Sequence, residues 1–106
     1  MRARVVETEV KTRRFARPLR VRIDLHGVST GAPGSRRVIR WEWIESIDVR
    51  KDGLVIRASR GAIELPDGTF GLESERLAEL LEAARAIERR ADVIGRLSAP
   101  PDAERV

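Results

Sequence analysis

Residues 19–26 read LRVRIDLH and alternate strictly between apolar and polar side chains. The aliphatic parity holds Leu19, Val21, Ile23 and Leu25. Successive side chains of a strand point to opposite faces of its sheet. The stretch therefore predicts a strand with one face in a core and the other toward water, and it is the clearest strand signal in the chain.

Further strands are predicted on both sides of this stretch. Residues 5–12 are rich in Val and Thr, which favour strands, and their weak apolar face indicates an edge position. Val28 begins a return strand, and residues 29–35 (STGAPGS) predict a flexible loop because they combine two Gly and one Pro. Residues 37–50 form the longest strand-like run, with a bulge expected around Ile44–Ile47.

The hydrophobic period changes after the last predicted turn. Turns are predicted at 51–53, 60–61 and 66–68, and residues 69–72 can pair once more. From Leu77 to Ile94 apolar residues recur every three or four positions, which predicts one amphipathic helix. Ser74 is the expected N-cap and Gly95 the expected end, while Glu88 falls awkwardly near the centre of the apolar stripe.

Strands grouped before a helix indicate an α+β fold. We predict a strongly bent antiparallel sheet of six or seven strands, closed as a barrel and capped by the C-terminal helix. The length of 106 residues suits one domain, which we place at residues 1–98. Residues 99–106 include Pro100-Pro101 near their start and are expected to be a disordered tail.

The order of these segments resembles the pleckstrin-homology-like (PH-like) superfamily, and its small bacterial members in particular. The resemblance covers about residues 4–94. It rests on IDLHGV (23–28), VIRWEWIESIDV (38–49), DGLVIRA (52–58) and IELPDGTF (63–70), and on the spacing of Trp41, Ile44 and Ile47. It implies a bent seven-stranded barrel with a terminal helix, used as a scaffold for phosphoinositides, peptides or partner domains.

Composition favours a folded protein that does not enter the membrane. Hydrophobic residues make up 42% and charged residues 36%, with both signs present, so wholesale disorder is not expected. There is no Cys, no apolar N-terminal stretch typical of a signal peptide and no run of about 20 apolar residues. We therefore expect a cytoplasmic protein.

Positive charge is concentrated in the first part of the chain. Residues 1–40 contain eleven Lys and Arg against three acidic residues, although the whole chain has a net charge of only +4. Arginine guanidinium groups suit bidentate contact with phosphate or carboxylate. The alternatives are a solvated, partly paired surface and an anion-binding patch formed by Arg13, Arg14, Arg17, Arg20, Arg22, Arg36 and Arg37.

No pattern for catalysis stands out, and we expect a protein that is not an enzyme. The chain has one histidine, His26, with Asp24 as its nearest candidate partner. One His without Cys makes a zinc site implausible, and no phosphate-binding glycine motif is present. No catalytic residue, cofactor or metal ligand is assigned.

Two groups of apolar residues have competing explanations. Trp41 and Trp43 share a parity, so we expect both on one face. Either both, or at least one, fill the core, or they form an exposed platform for stacking. The distal half of the helix carries Ile87, Val93, Ile94 and Leu97 as a candidate subunit interface. The leading expectation is an adaptor that binds a protein partner or forms a homo-oligomer; the alternative is a binder of anionic membrane or nucleic acid.

Overall fold

The computed structural model describes residues 4–11, 18–32 and 34–98. Within these ranges the strands are β1 (Val5–Val10), β2 (Leu19–Asp24), β3 (Gly27–Ala32), β4 (Ser35–Arg40), β5 (Ile44–Arg50), β6 (Gly53–Ala58) and β7 (Gly61–Pro66). Two α-helices follow, α1 (Ser74–Ala84) and α2 (Ile87–Ser98). The predicted tail, 99–106, and the predicted arginines 13, 14 and 17 lie outside the described residues.

The strands form two antiparallel sheets. Strands β1 to β4 form a four-stranded sheet in sequence order, and β5 to β7 form a three-stranded sheet, also in sequence order. Every pairing joins strands that are consecutive in the sequence, the arrangement that antiparallel sheets allow. With strands preceding helices, the predicted α+β class is confirmed.

The alternation in β2 places its side chains largely as expected. Val21 and Ile23 are fully buried and Leu19 is nearly so, while Arg20 and Arg22 face water. Leu25 departs from the prediction: it lies beyond the end of β2 in the turn and is partly exposed. Once the chain leaves the ladder, parity no longer determines which way a side chain points.

The predicted loop at residues 29–35 is mostly strand. β3 runs to Ala32 and β4 begins at Ser35, and the two residues are paired across the hairpin. Gly34 has a φ of 79°, a left-handed conformation that suits glycine in a tight turn. The prediction of a flexible loop was wrong because hairpin pairing supplies backbone partners even to small residues.

The run 37–50 is two strands rather than one. A 3₁₀ turn at Trp41–Trp43 separates β4 from β5, and here the chain passes from the four-stranded to the three-stranded sheet. The bulge expected around Ile44–Ile47 is confirmed, since the β5–β6 register shifts between Ile44 and Ser46. Residues 69–72, predicted to pair again, instead contain a 3₁₀ turn at Thr69–Gly71.

Gly53 is the last residue of the predicted turn at 51–53 and the first residue of β6. It does not have a positive φ. A Cβ on Gly53 would lie 2.2 Å from the Leu65 carbonyl oxygen, so the close approach of β6 to β7 requires glycine here.

The helical segment is broken into two helices at residues 85–86, and Gly95 does not end the second one. The break explains the misfit of Glu88, which is exposed on α2. The start of α1 also differs from the prediction. Ser74 is its first residue rather than its N-cap, and the Asp67 carboxylate accepts hydrogen bonds from the Ser74 N–H (3.0 Å) and Oγ (2.8 Å).

One hydrophobic cluster joins both sheets and both helices. α1 contacts β5 and β6, and α2 contacts α1 and β1. The largest side chains with under 2% or about 2% exposure are Trp41, Ile23, Leu54, Ile56, Ile63, Leu65, Leu77, Leu81 and Ile94. Each such aliphatic side chain stabilises the fold by about 1.5–3 kcal/mol through burial, so this shared cluster fixes how the surface residues are presented.

Candidate functional site

The structure brings together three of the four predicted arginines that it describes. Arg20 and Arg22 lie on the outer face of β2. Arg36 of β4 lies on the same face, because Gly31 of β3 is the register partner of both Arg20 and Arg36. Arg37 has the opposite parity on β4. It donates a hydrogen bond from Nη1 to the Ala62 carbonyl at 3.2 Å and does not join the other three.

A shallow groove of about 600 Å³ runs beside these three arginines. Ser29 and Gly31 line it between β2 and β4, and a Cβ on Gly31 would meet open space. Small residues flanked by long cationic side chains leave room for a small anionic group.

Most of the charge along the groove is already compensated. Arg20 pairs with Glu9 at 3.4 Å, and Arg22 pairs with Glu7 at 3.7 Å and with Asp24 at 3.4 Å. These are exposed pairs, which typically contribute about 0–1 kcal/mol and compete weakly with a ligand. Arg36 has no acidic partner among the described residues, so it is the one uncompensated cation of this groove.

The two tryptophans lie in opposite environments, contrary to the expectation that they share a face. Trp41 is 2% exposed and its Nε1 donates to the Asp24 carbonyl at 2.8 Å, whereas Trp43 is 52% exposed. The 3₁₀ turn that contains both residues ends the two-residue period of β4, which separates the rings. Trp41 is therefore part of the core, and Trp43 is exposed.

A cation lies over the Trp43 ring. The Arg40 guanidinium carbon lies 5.6 Å from the centre of the Trp43 ring, and Arg40 Nε lies 2.9 Å from Glu42 Oε1. Arg40 shares the outward parity of Val38, which is also 52% exposed, and of Arg36. We call the exposed series Arg36, Val38, Arg40 and Trp43 the β4 strip.

The predicted subunit interface on the second helix needs correction. Val93, Ile94 and Leu97 are 4%, 0% and 6% exposed and belong to the core of the chain itself. Because the helix breaks at 85–86, α2 turns this face inward, and only Ile87 remains available at 77% exposure.

The residue that sequence reasoning missed is Arg90. It is 8% exposed and donates to the carbonyls of Ala84 (2.8 Å), Arg85 (3.1 Å) and Leu25 (3.2 Å). Its guanidinium carbon lies 5.1 Å from the centre of the Trp41 ring. The sequence did contain a signal for it. Arg90 lies on the apolar face of the predicted helix, close to Glu88, which also fits that face poorly.

Arg90 acts within the fold rather than at an open site. Burial lowers the pKa of its guanidinium, and the negative charge of Glu42 partly opposes this shift. Arginine nevertheless stays protonated at any physiological pH. It satisfies two carbonyls at the end of α1, which lack helical partners, and fastens the helix junction to the β2–β3 turn.

The described residues contain no group of three His, Asp or Glu side chains arranged to hold a metal ion. Asp24, the candidate partner of His26, instead accepts hydrogen bonds from the backbone N–H groups of His26 and Gly27. Among the described residues, no helix is both long enough and apolar enough to cross a membrane. Comparisons with protein-family models, curated proteins and solved structures return no match.

Proposed function

We propose that this chain is a non-catalytic adaptor that recognises a protein partner or a second copy of itself. As its scaffold we propose a PH-like barrel with the helix pair over one end. The resemblance noted above and the succession of four strands, three strands and helices support this scaffold. So does the placement of the helices, since α1 contacts the three-stranded sheet and α2 the four-stranded sheet.

The observation that carries the proposal is the exposure of Trp43 beneath Arg40. About half of a large aromatic side chain faces water, and the Arg40 guanidinium lies over its ring. Trp and Arg are the residue types most enriched among those that dominate binding energy in protein interfaces. A pre-ordered Trp–Arg pair loses little conformational entropy on binding, which favours affinity.

The same reasoning supports binding over catalysis. The surface contains an ordered aromatic and cations, and the Asp24 carboxylate beside His26 is engaged by backbone donors. Because the chain lacks Cys and the described helices could not cross a membrane, we propose that it acts in the cytoplasm.

Site-specific photo-cross-linking in the native cell tests this function. A benzophenone amino acid replaces Trp43 in the full chain, and a matched variant carries it at Asp92, which is exposed on α2. We expect a discrete cross-linked product, identified by mass spectrometry, from position 43 and not from position 92. Light scattering distinguishes a second copy from another protein. A monomer without any product specific to position 43 would refute the proposal.

A second candidate is binding of an anionic ligand, a membrane surface or nucleic acid, in the groove beside Arg20, Arg22 and Arg36. The uncompensated charge of Arg36 favours it, and the predicted cations of 13–17 lie earlier in the same chain. Polyanion binding should weaken steeply as salt rises because it releases counterions. Reversal of the charge by R36E should weaken binding to oligonucleotides or anionic vesicles more than R89E, and equal effects would exclude this groove.

A further inference from the structure

β4 is the last strand of the four-stranded sheet, so one of its edges has no neighbour among the strands that the structure describes. The hydrogen bond from the Trp41 N–H to the His26 carbonyl, at 3.1 Å, identifies which residues face that edge. In an antiparallel ladder, alternate residues exchange bonds with the same neighbour. Ile39 and Arg37, two and four residues before Trp41 in the same register, therefore bond to β3.

The backbone N–H and C=O groups of Arg36, Val38 and Arg40 consequently point away from β3. No hydrogen bond to these backbone groups from elsewhere in the described chain occurs. The same three residues carry exposed side chains on the outer face. Outward-pointing backbone groups and exposed side chains thus coincide at Arg36, Val38 and Arg40, although the Arg40 side chain also pairs with Glu42.

Strand β7 approaches β4 without pairing to it. One hydrogen bond joins them: the Arg37 side chain, which shares the parity of buried Ile39, donates to the Ala62 carbonyl. This bond starts from the inner face of β4 and does not involve the backbone groups of Arg36, Val38 and Arg40. No backbone ladder joins the two sheets among the described strands.

The chemistry of the edge selects its occupant. β4 contains three arginines and no acidic residue, and within the described part of the chain Glu42 is the one carboxylate that forms an ion pair with them. Pairing of two copies of β4 about Val38 would set Arg36 directly opposite Arg40 of the other copy. Like charges opposite each other are destabilising, so cationic edges resist self-pairing. An acidic segment would instead place opposite charges beside these arginines, which favours pairing.

We infer that β4 binds an extended acidic segment of a partner protein, which adds to the sheet as a further strand. Its carboxylates face Arg36 and Arg40, an apolar side chain covers Val38, and the segment's end reaches Trp43. This inference rests on the proposed function and specifies the chemistry of the partner.

Nuclear magnetic resonance of the isotope-labelled full chain tests it, with the blocked peptide Thr-Glu-Thr-Val-Thr-Glu-Thr as the probe. Val38→Pro removes the edge N–H, and proline is tolerated where that group faces outward on an edge strand. Val38→Ala is the matched control because it also shortens the side chain but keeps the N–H. We expect peptide-induced shifts along β4 in wild type and V38A, and affinity at least about tenfold weaker in V38P.

Charge reversal provides an independent arm. The double variant R36E/R40E should prefer the peptide with Lys in place of Glu, while R89E should bind like wild type, since Arg89 is an exposed helix residue without a side-chain partner in the described chain. Restored binding to the Lys peptide also shows that the double variant is folded. If R36E/R40E does not prefer the Lys peptide to the Glu peptide, the inference is contradicted.

The remaining outcomes are also decisive. Equal affinity of V38P and V38A overturns strand addition, and β4 shifts that follow protein concentration without peptide identify a second copy as the occupant. Vesicles of phosphatidylglycerol that displace the peptide and bind V38P equally indicate a charged surface instead. If the peptide fails to bind while cross-linking at position 43 succeeds, only the strand inference is wrong. Failure of both removes the proposed function as well.

Discussion

Replacement of Arg90 by Met is expected to destabilise the protein strongly although Met is apolar and the site is buried. The variant loses three hydrogen bonds from a charged donor to carbonyls and a cation–π contact with Trp41. Hydrogen bonds to charged groups contribute about 1.5–3 kcal/mol each and a desolvated cation–π contact about 2 kcal/mol. The substitution also removes the desolvation cost of the buried charge, which offsets part of this loss of stability.

We therefore expect a net loss of about 3–5 kcal/mol, comparable with the cost of breaking other buried charged contacts. The total stability of a domain of this size is about 5–15 kcal/mol, so R90M should lose a large fraction of it. The Ala84 and Arg85 carbonyls at the end of α1 would be left without their donor, which also loosens the junction between the helices.

Urea unfolding followed by circular dichroism and tryptophan emission measures this loss. A Trp43→Phe background makes Trp41, the ring beneath Arg90, the single reporter. Arg89→Met is the control: it is the same substitution at the neighbouring, exposed position and should change stability by less than about 0.5 kcal/mol. Equal stabilities of R90M and R89M would refute the role assigned to Arg90.

Three further predictions concern single positions. Gly53→Ala should cost about 1–3 kcal/mol because its Cβ would overlap the facing carbonyl, whereas Gly31→Ala should be nearly neutral; urea midpoints that agree would contradict this. Asp67→Ala should cost about 1 kcal/mol in thermal unfolding by removing the acceptor at the start of α1, and an unchanged melting temperature would be inconsistent with that role. Trp43→Phe should shift native emission to shorter wavelength because buried Trp41 then emits alone, while a shift to longer wavelength would reverse the assignment of the two rings.

The elements that could be predicted from sequence are those in which one local pattern persists. In β2 three apolar residues at spacing two are buried and the arginines between them are exposed, as expected. The hairpin turns and the strand-then-helix order followed from local turn residues and from the change of hydrophobic period. The predictions for Leu25 and for residues 29–35 were wrong at the ends of strands, because backbone pairing with a neighbouring strand decides the conformation there.

The candidate surface depended on contacts between distant segments. The sequence put Trp41 and Trp43 on one face, but the chain crosses between sheets at that point and only Trp43 remains exposed. The supposed interface residue Ile94 is fully buried because the helix breaks and returns its second half to the core. The hydrophobic period of the sequence does not reveal this break, because the break is stabilised by hydrogen bonds from Arg90, which lies in α2 beyond the junction.

The amino-acid order alone thus determined the α+β class, most strands and the basic character of the first forty residues, because alternation, turn chemistry and charge are local properties. Tertiary structure decided which cations are compensated, which tryptophan meets water and which strand edge is free. Those outcomes depend on how two sheets and two helices bury one shared core, and burial is a property of segments brought together from across the whole chain.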